Sequence, residues 1–194
     1  MRRILVYGVT GSGKSTLARR IGERLGLPYH AVDDLTWEAG WVPVSPEVQR
    51  ERMTAICATD AWVIDSAYGM WLDVPLARAD LIVGLDLPRW RSLGRLLRRT
   101  AGNVLRGTPT CNGNHETFRQ SFLSRDSILW WHVKSFNRKR RRMRAWRADP
   151  AMPHVVLLST PAAVERWVAG LPRAGRPGDA LRPSAQEAGE PLID

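Results

Sequence analysis

The stretch ILVYGVTGSGKST, residues 4–16, decides the fold of this 194-residue chain. After a short apolar run, residues 8–15 read GVTGSGKS and satisfy the pattern G-x-x-x-x-G-K-[ST] completely. The pattern stands between a predicted strand and a predicted amphipathic helix, which is the context in which such a loop binds phosphate. Its glycines let successive backbone N–H groups turn towards one anion, and the helix adds its positive dipole end. The stretch therefore predicts a phosphate-binding loop.

This predicted loop assigns roles to its polar residues. Lys14 is expected to contact the β- and γ-phosphates of ATP, and the Ser15 hydroxyl is expected to hold Mg²⁺. ATP and Mg²⁺ are thus the predicted cofactors, and the predicted ATP-binding residues are Gly8, Gly11, Ser12, Gly13, Lys14, Ser15 and Thr16. The sequence has no N-K-x-D tetrad of the kind that selects guanine in Ras-type GTPases, and it is short for a helicase or a transport ATPase. A small P-loop kinase is the interpretation that remains.

Apolar runs that alternate with helical patterns predict the architecture. The runs lie at 3–7, 28–32, 61–65, 80–86 and 154–158. Continuous apolar runs of this kind are typical of parallel strands that are covered on both faces. We therefore predict an α/β fold, namely a three-layer α/β/α P-loop domain with a five-stranded parallel sheet.

Local signals place helices between these strands. Gly26 and Pro28 are expected to end the first helix, and Ser45-Pro46, Pro88 and Thr160-Pro161 are expected to begin three others.

Two predicted helices lie in the basic part of the chain. In the helix after Pro88, the residues Trp90, Leu93 and Leu97 are predicted to form the buried face. A further long helical segment is predicted over about 116–147, with a buried stripe at Phe118, Phe122, Leu129, Val133 and Phe136.

The chain is predicted to form one kinase domain over residues 1–170. The acceptor region is expected at about 33–60 and a lid at about 89–147, and the tail 171–194, rich in Pro, Gly, Ala and charge, is predicted to be disordered. No apolar run approaches the roughly 20 residues of a membrane span. Because no signal-peptide core precedes the first strand either, a cytoplasmic location without a membrane partner is expected.

The formal net charge of +10 is concentrated in one region. Residues 89–147 hold sixteen Arg or Lys against only Glu116 and Asp126. All but three of the cationic residues are arginine, whose planar fork matches phosphate oxygens two at a time. The same excess of arginine would follow from a coding bias, so composition alone does not identify a partner.

Acidic side chains follow two of the predicted strands. Asp33 and Asp34 stand after the second strand, where open α/β sheets place ligands. They are candidates to accept a hydroxyl proton, to orient the acceptor or to support Mg²⁺ through water, and a turn or helix cap is their structural alternative. Asp65 ends the third strand, the usual position of an acid that contacts Mg²⁺ indirectly, with capping as its alternative. Trp37 and Trp41 are candidates for the wall of an acceptor pocket, and filling of the core is the alternative for them.

Arginines at residues 91, 95 and 98 or 99 fall on one face of the helix after Pro88. Because like charges repel unless anions neutralise them, this stripe predicts a lid that screens the transferring phosphate, with a solvated basic face as the alternative. Arg95 and Arg99 are the candidates in this helix. Arg138 is the candidate in the basic run 137–147, whose other residues are expected to be solvated or to contact nucleic acid.

Together these motifs resemble the small P-loop kinases known as adenylate kinase-related or DNA topology modulation (FlaR-like) proteins. The resemblance covers about residues 2–170, and the segments that carry it are 8–21, Asp33-x-Leu35-x-Trp37 with Gly40-Trp41, 62–69, 78–90 and 113–118. It implies the nucleoside/nucleotide and shikimate kinase fold with a helical lid, ATP on Gly8–Thr16 and an acceptor near Asp33. Tyr68 and Arg78 lie in the matched segments and are further candidates for substrate binding beside Asp33, Asp34, Trp37 and Trp41.

The sequence departs from this family at Asp65-Ser66-Ala67-Tyr68, where the resemblance implies D-G-N-Y. It also has no clear counterpart of the D-x-x-R motif with which adenylate kinases grip AMP, so AMP is not the expected acceptor.

The leading hypothesis is therefore a kinase that transfers the γ-phosphoryl group of ATP to a nucleotide or another small hydroxyl compound. Lys14 with Arg95, Arg99 and Arg138 would stabilise charge on the transferring group, and Asp33 would orient or deprotonate the acceptor. A nucleic-acid-associated regulator that uses ATP is one alternative, although no helix-turn-helix or zinc-finger motif is present. A nucleotide-binding module with little turnover is the other.

Overall fold

Five parallel strands form the central sheet of the computed structural model, which describes residues 1–66, 69–106, 109–110, 114–115 and 128–174. The sheet strands are β1 (Arg3–Gly8), β2 (Tyr29–Ala31), β5 (Trp62–Ser66), β6 (Leu81–Leu85) and β9 (His154–Leu158). Short antiparallel pairs are formed by β3 (Trp37–Glu38) with β4 (Val42–Pro43), and by β7 (Pro109–Thr110) with β8 (Asn114–His115). All five predicted strands are therefore confirmed.

Helices separate the strands along the chain. They are α1 (Lys14–Leu25), α2 (Val32–Thr36), α3 (Pro46–Ala58), α4 (Asp73–Leu76), α5 (Arg89–Arg106), α6 (Ile128–Ala148) and α7 (Pro161–Ala169). The predicted end signals are confirmed, because Gly26 adopts the left-handed conformation with φ 66° after α1. The Ser45 side chain accepts from Val48 N at the start of α3, and Thr160 accepts from Ala163 N at the start of α7.

The strand β1 shows why the fold has three layers. Ile4 and Val6 point into a core shared with α1 and α7, whereas Leu5 and Tyr7 point into a second core shared with α3 and α6. All four side chains are at most 1% exposed. Since successive residues of a strand face opposite sides, this apolar run needs helices on both faces of the sheet.

The strand order is β2-β5-β1-β6-β9, so β1 lies in the middle of the sheet. The chain passes from β1 to β2 and β5 on one side, and then to β6 and β9 on the other. Open α/β sheets bind ligands outside the carboxyl ends of the strands at such a reversal of order. The loop after β1 therefore occupies the position in the fold that suits a ligand site best.

The helix α5 is rotated relative to the prediction. Its buried face consists of Ser92, Leu96 and Thr100, each 0% exposed, whereas Trp90 is 69% and Leu97 is 39% exposed. The predicted buried face was wrong because α5 packs against the loop after β1 through Ser92 and Leu96, which approach Gly11.

The helix α6 also differs from its prediction. Its described part begins at Ile128, and Phe118 and Phe122 of the predicted stripe lie outside the described residues. Phe136 is buried as predicted, but Val133 is 40% exposed, and the buried face carries His132, Ser135 and Lys139. Periodicity of apolar residues does not detect a buried face of this polar composition.

At the C-terminal end, the packed part of the chain extends beyond the predicted boundary at residue 170. Leu171 is 8% exposed in the core, its carbonyl oxygen accepts a hydrogen bond of 2.8 Å from Arg24 Nε, and Ala174 N donates to Arg24 O at 2.7 Å. Residues 171–174 therefore bind to α1, and residues 175–194 lie outside the described part. In the described ranges, no helix combines the length and the apolar character needed to cross a membrane.

Candidate functional site

The loop between β1 and α1 is held closely against α5. Gly11 has φ 76°, and a Cβ atom at this position would lie 2.4 Å from Ser92 O and 2.8 Å from Leu96 Cβ. Only glycine fits this approach and this backbone conformation. The Arg95 Nη1 group donates to Ser12 O at 3.3 Å, so one of the predicted lid arginines contacts the loop directly.

The N-terminus of α1 begins differently from those of α3 and α7. Its N-cap residue is Gly13, with φ 96°, and no side chain caps it, whereas Ser45 and Thr160 cap the other two helices. The first backbone N–H groups of a helix have no partners within the helix. A phosphate group is the usual partner for such groups when they follow a glycine-rich loop.

Lys14 lies at this N-terminus and folds back over the loop. Its Nζ donates to Val9 O at 3.0 Å. Burial lowers the pKa of Lys14, while the nearby carboxylates of Asp33 and Asp65 act in the opposite direction. The predicted phosphate-binding lysine is thus within electrostatic range of both predicted acidic residues.

Asp65 connects the loop helix to the predicted acceptor segment. One carboxylate oxygen accepts from the Ser15 hydroxyl, and the other accepts from Val32 N, the first residue of α2, at 3.1 Å. Burial is the main reason that the pKa of Asp65 is raised, and its hydrogen bonds from Ser15 and Val32 act against this. Asp65 therefore holds the segment that carries Asp33 against the start of α1.

The donor set around Ser15 fits a magnesium ion bound with a nucleotide. Among the described residues, no group of three or more His, Cys, Asp or Glu side chains could hold a metal on its own. Mg²⁺ usually keeps several waters and takes one or two protein ligands together with phosphate oxygens. A serine hydroxyl hydrogen-bonded to a buried carboxylate supplies that partial set, so the two predicted metal-site residues, Ser15 and Asp65, lie together.

Asp33 and Asp34 lie in the first turn of α2 and are exposed. The negative charge of Asp33 is close enough to Lys14, Asp65 and Lys139 to raise their pKa values. It therefore stands at the same edge of the sheet as the phosphate-binding loop. Asp34 is one residue further along the short helix.

Trp37 and Trp41 lie in the hairpin formed by β3 and β4. Their rings meet edge to face, with centroids 5.7 Å apart and an interplanar angle of 79°. Trp41 N donates to Asn114 Oδ1 at 2.8 Å, and Asn114 Nδ2 donates to Glu38 O at 2.9 Å. Asn114 is 4% exposed and fixes the hairpin, a role that its position in the sequence did not suggest.

The remaining candidates divide into three groups. The positive charge of Arg99 lowers the pKa of Lys14, and that of Arg138 lowers the pKa of Lys139. Both arginines therefore lie near the loop. Arg78 does not, because it precedes β6 and its Nη1 donates to Cys57 O at the opposite edge of the sheet, at 3.4 Å. Tyr68 lies outside the described residues, as does Ala67 of the Asp65-Ser66-Ala67-Tyr68 segment.

Lys139 is the residue at this site that the sequence analysis missed. It is 3% exposed, and its charge interacts with those of Lys14 and Asp33. It stood in a run of arginines that was expected to be solvated. Its spacing was a usable signal. Lys139 follows Phe136 by three residues and precedes Met143 by four, so it lies on the same, buried face of α6.

Comparisons with known proteins identify the fold. No known protein-family profile matches the sequence, and no curated protein matches it. A solved structure of shikimate kinase from Acinetobacter baumannii in complex with shikimate matches with a TM-score of 0.51 and 16% sequence identity, over 86% of this chain and 88% of that one. The chain has the fold of shikimate kinase.

Two other solved structures are kinases as well. A sugar kinase from a Janibacter species gives a TM-score of 0.49 at 17% identity, over 87% of this chain and 93% of that one. A gluconokinase from Sinorhizobium meliloti gives a TM-score of 0.48 at 18% identity, over 87% and 94%. The predicted fold class, a P-loop α/β/α domain with five parallel strands, is confirmed by the strand order and by the match to shikimate kinase.

Proposed function

We propose that this protein transfers the γ-phosphoryl group of ATP to a small acceptor held beside Asp33. The observation that carries the proposal is the position of Asp65, which accepts from Ser15 at the start of α1 and from Val32 at the start of α2. Asp65 thereby joins the phosphate-binding loop to a segment with two exposed carboxylates at the carboxyl ends of the parallel strands. A protein that only bound a nucleotide would not need the second segment.

The donor side of this proposal uses the loop and the helices around it. ATP binds over Gly8, Gly11, Ser12, Gly13, Lys14, Ser15 and Thr16, with its phosphates on the uncapped N-terminus of α1. Lys14 and Arg95 place positive charge at the loop, and Arg99 and Arg138 add charge from α5 and α6. Positive groups that are fixed before the reaction stabilise the charge of a transferring phosphoryl group.

Ser15 would hold Mg²⁺ directly and Asp65 would hold it through water. When bound, the ion would neutralise charge on the phosphate oxygens. The acidic side chain of Asp65 is suited to this role because it already contacts the Ser15 hydroxyl.

The acceptor side consists of α2 and the hairpin after it. Asp33 accepts the proton of the acceptor hydroxyl or orients that hydroxyl, and Asp34 supports it. Trp37 and Trp41 form the wall of the acceptor pocket, since their edge-to-face contact and the Asn114 hydrogen bonds hold them rigidly. We further propose that the chain is related to the FlaR-like kinases, on the residues quoted for that resemblance.

The experiment is a screen of nucleosides, nucleoside monophosphates and small hydroxyl metabolites for acceptor-dependent release of ADP. With the acceptor found, Lys14→Ala and Asp33→Asn should each lower kcat by roughly 10²-fold or more, the range of a lost charge-stabilising or acid–base group. Lys134→Ala and Asp60→Asn remove exposed charges of the same types away from the site and serve as matched controls. Product formation that survives both Lys14→Ala and Asp33→Asn at the rate of the controls would show the mechanism to be wrong.

The alternative of a nucleic-acid-associated regulator has less support. It rested on the net charge of +10, on the basic run 137–147 and on the topology-modulation name of the family that the chain resembles. In that run, Arg140 and Arg144 bind Asp86 while remaining partly exposed, and Lys139 is buried. Binding to DNA that weakens steeply with salt and ignores ATP would favour this alternative, because neutralised phosphates make affinity salt-dependent.

A further inference from the structure

The buried face of α6 is polar where it lies near the phosphate-binding loop. His132, Ser135 and Lys139 are 0%, 1% and 3% exposed. Their spacing of three and four residues places them on one side of the helix, next to Phe136 and Met143. A helix that served only to cover the sheet would carry apolar residues at these positions.

Each of the three polar side chains has an atom without a hydrogen bond. Within the described part of the chain, nothing bonds to Lys139 Nζ, Ser135 Oγ or His132 Nδ1. His132 is fixed through its other nitrogen, because Nε2 lies 2.8 Å from Ser92 Oγ on α5. Buried polar atoms are almost always paired, and a group of unpaired ones on one helix face calls for a partner such as an ion or an ordered water.

The charges around this face select the kind of ligand. Lys139 is affected by the positive charges of Lys14, Arg138 and Arg142, and by the single negative charge of Asp33. Burial is the main cause that lowers the pKa of Lys139 to about 7, and the neighbouring cations add to it. A lysine ammonium group has three donors and no acceptor, so an anion is the kind of ligand that this group would bind.

We propose that Lys139 and Ser135 form an oxyanion subsite between the phosphate-binding loop and Asp33, which binds phosphate or carboxylate oxygens. The occupant is either the γ-phosphoryl group of the donor or a charged group of the acceptor. This assignment of the occupant rests on the proposed kinase function, whereas the binding of an oxyanion does not. If a charged group of the acceptor occupies the subsite, the acceptor is an anion, such as a phosphate monoester or a carboxylate, rather than a neutral sugar or nucleoside.

The subsite differs from the basic residue that the sequence suggested on α6. Arg138 is exposed, whereas Lys139 next to it is buried and its charge interacts with that of Lys14 in the loop. A buried cation interacts with an anion in a low dielectric, so it contributes more than an exposed one.

The test compares the full chain with Lys139→Met, which removes the charge and keeps a long side chain. Lys134→Met is the matched control, because Lys134 is an exposed lysine on the same helix. Calorimetric titration measures inorganic phosphate binding to protein saturated with ADP and Mg²⁺, and separately the affinities for ATP and ADP. Loss of one charge-assisted hydrogen bond should weaken the affected affinity by about tenfold or more in Lys139→Met and leave the control unchanged.

Two arms identify the source of the oxyanion. If the donor supplies it, Lys139→Met loses affinity for ATP but keeps its affinity for ADP. If the acceptor supplies it, ATP and ADP bind normally, and Lys139→Met loses the binding of inorganic phosphate to protein saturated with a non-hydrolysable ATP analogue. Ser135→Ala should show a smaller loss of affinity for the same ligand. Because this variant keeps the charge of Lys139, it still tests the subsite if Lys139→Met does not fold.

The proposal is overturned if Lys139→Met changes neither the affinity for ATP relative to ADP nor the affinity for inorganic phosphate. It is also overturned if the wild-type protein binds no phosphate and binds ATP and ADP equally well. This outcome is separate from a failure of the kinase function. That failure would appear as an absence of phosphoryl transfer by a protein in which phosphate binding still depends on Lys139.

Discussion

Asp86 and Lys139 are two buried charges at the interface between α6 and the sheet, but only Asp86 has hydrogen-bond partners within the described part of the chain. Asp86, directly after β6, is 6% exposed and receives Arg140 Nε at 2.6 Å on one oxygen. Its other oxygen receives Arg144 Nε at 3.0 Å and Arg144 Nη2 at 2.8 Å. Lys139 is 3% exposed, and no described residue hydrogen-bonds to its Nζ.

We interpret this difference as one between a structural charge and a charge that serves the proposed oxyanion subsite. The Asp86 carboxylate with its two arginines is satisfied within the chain, so it fixes α6 on the sheet without a ligand. The Lys139 ammonium group has no such partner among the described residues, and in the proposed subsite an oxyanion would satisfy it. Unpaired buried charges destabilise a fold, and sites that need them retain them at the expense of stability. The two residues should therefore respond to substitution with opposite signs.

The largest expected effect is at the satisfied charge. Asp86→Ala should lower the free energy of unfolding by about 2 kcal/mol, because it removes three charge-assisted hydrogen bonds, although the two arginines are partly exposed and can turn to water. Urea unfolding measures this change. Asp60→Ala, at an exposed aspartate, should change stability by less than about 0.5 kcal/mol. Equal effects of the two substitutions would show that the Asp86 cluster does not hold α6.

The next effect is at the unsatisfied charge and has the opposite sign. Lys139→Met should raise the midpoint of thermal unfolding at pH 7 by about 2–4 °C, roughly 1 kcal/mol, because an apolar side chain replaces an unpaired cation. A lower midpoint than that of the wild-type protein would mean that Lys139 has an internal partner.

The pH dependence of this gain is a separate prediction. The pKa of Lys139 is about 7 in the folded protein, against an ordinary value of 10.5. Between these values the unfolded chain binds a proton that the folded protein lacks, so wild-type stability rises with pH there. The gain from Lys139→Met should thus be greatest below pH 7 and should shrink as the pH rises from about 7 towards 10.5. The charged groups that affect Lys139, namely Lys14, Asp33, Arg138 and Arg142, are present in both proteins.

The smallest effect is expected at an exposed ion pair. Arg20 donates to both oxygens of Glu165 at 2.7 Å and joins α1 to α7. Because the side chains are 36% and 63% exposed, Glu165→Gln should shift the thermal midpoint by no more than about 2 °C. A shift as large as that of Asp86→Ala would contradict the view that burial, rather than pairing alone, determines the contribution of these charges.

The sequence predicted those parts of the molecule in which backbone chemistry and apolar periodicity agree. The five strands, the glycine end of α1 and the caps Ser45 and Thr160 were all predicted. Ser15 and Asp65 were each predicted as magnesium-site residues, but the hydrogen bond between them is a finding of the structure. The buried faces of α5 and α6 were not, because Ser92, Thr100 and Lys139 are polar and hydrophobic periodicity cannot place them. Those faces are polar where they approach the phosphate-binding loop. Arg78 was assigned to the site from its place in a motif, although the strand predicted over 80–86 follows it and already indicated the amino end of that strand, where the structure has it.

The measurement that tests the central proposal most directly follows the γ-phosphate of labelled ATP. The wild-type protein is incubated with [γ-³²P]ATP, Mg²⁺ and pools of nucleosides, nucleotides and small hydroxy acids, and the labelled products are separated. We predict that the label appears in one organic acceptor, and that Lys14→Ala abolishes its transfer while Lys134→Ala does not. Label that stays in ATP, or that appears only as inorganic phosphate with every pool, would contradict the proposal of a small-molecule kinase.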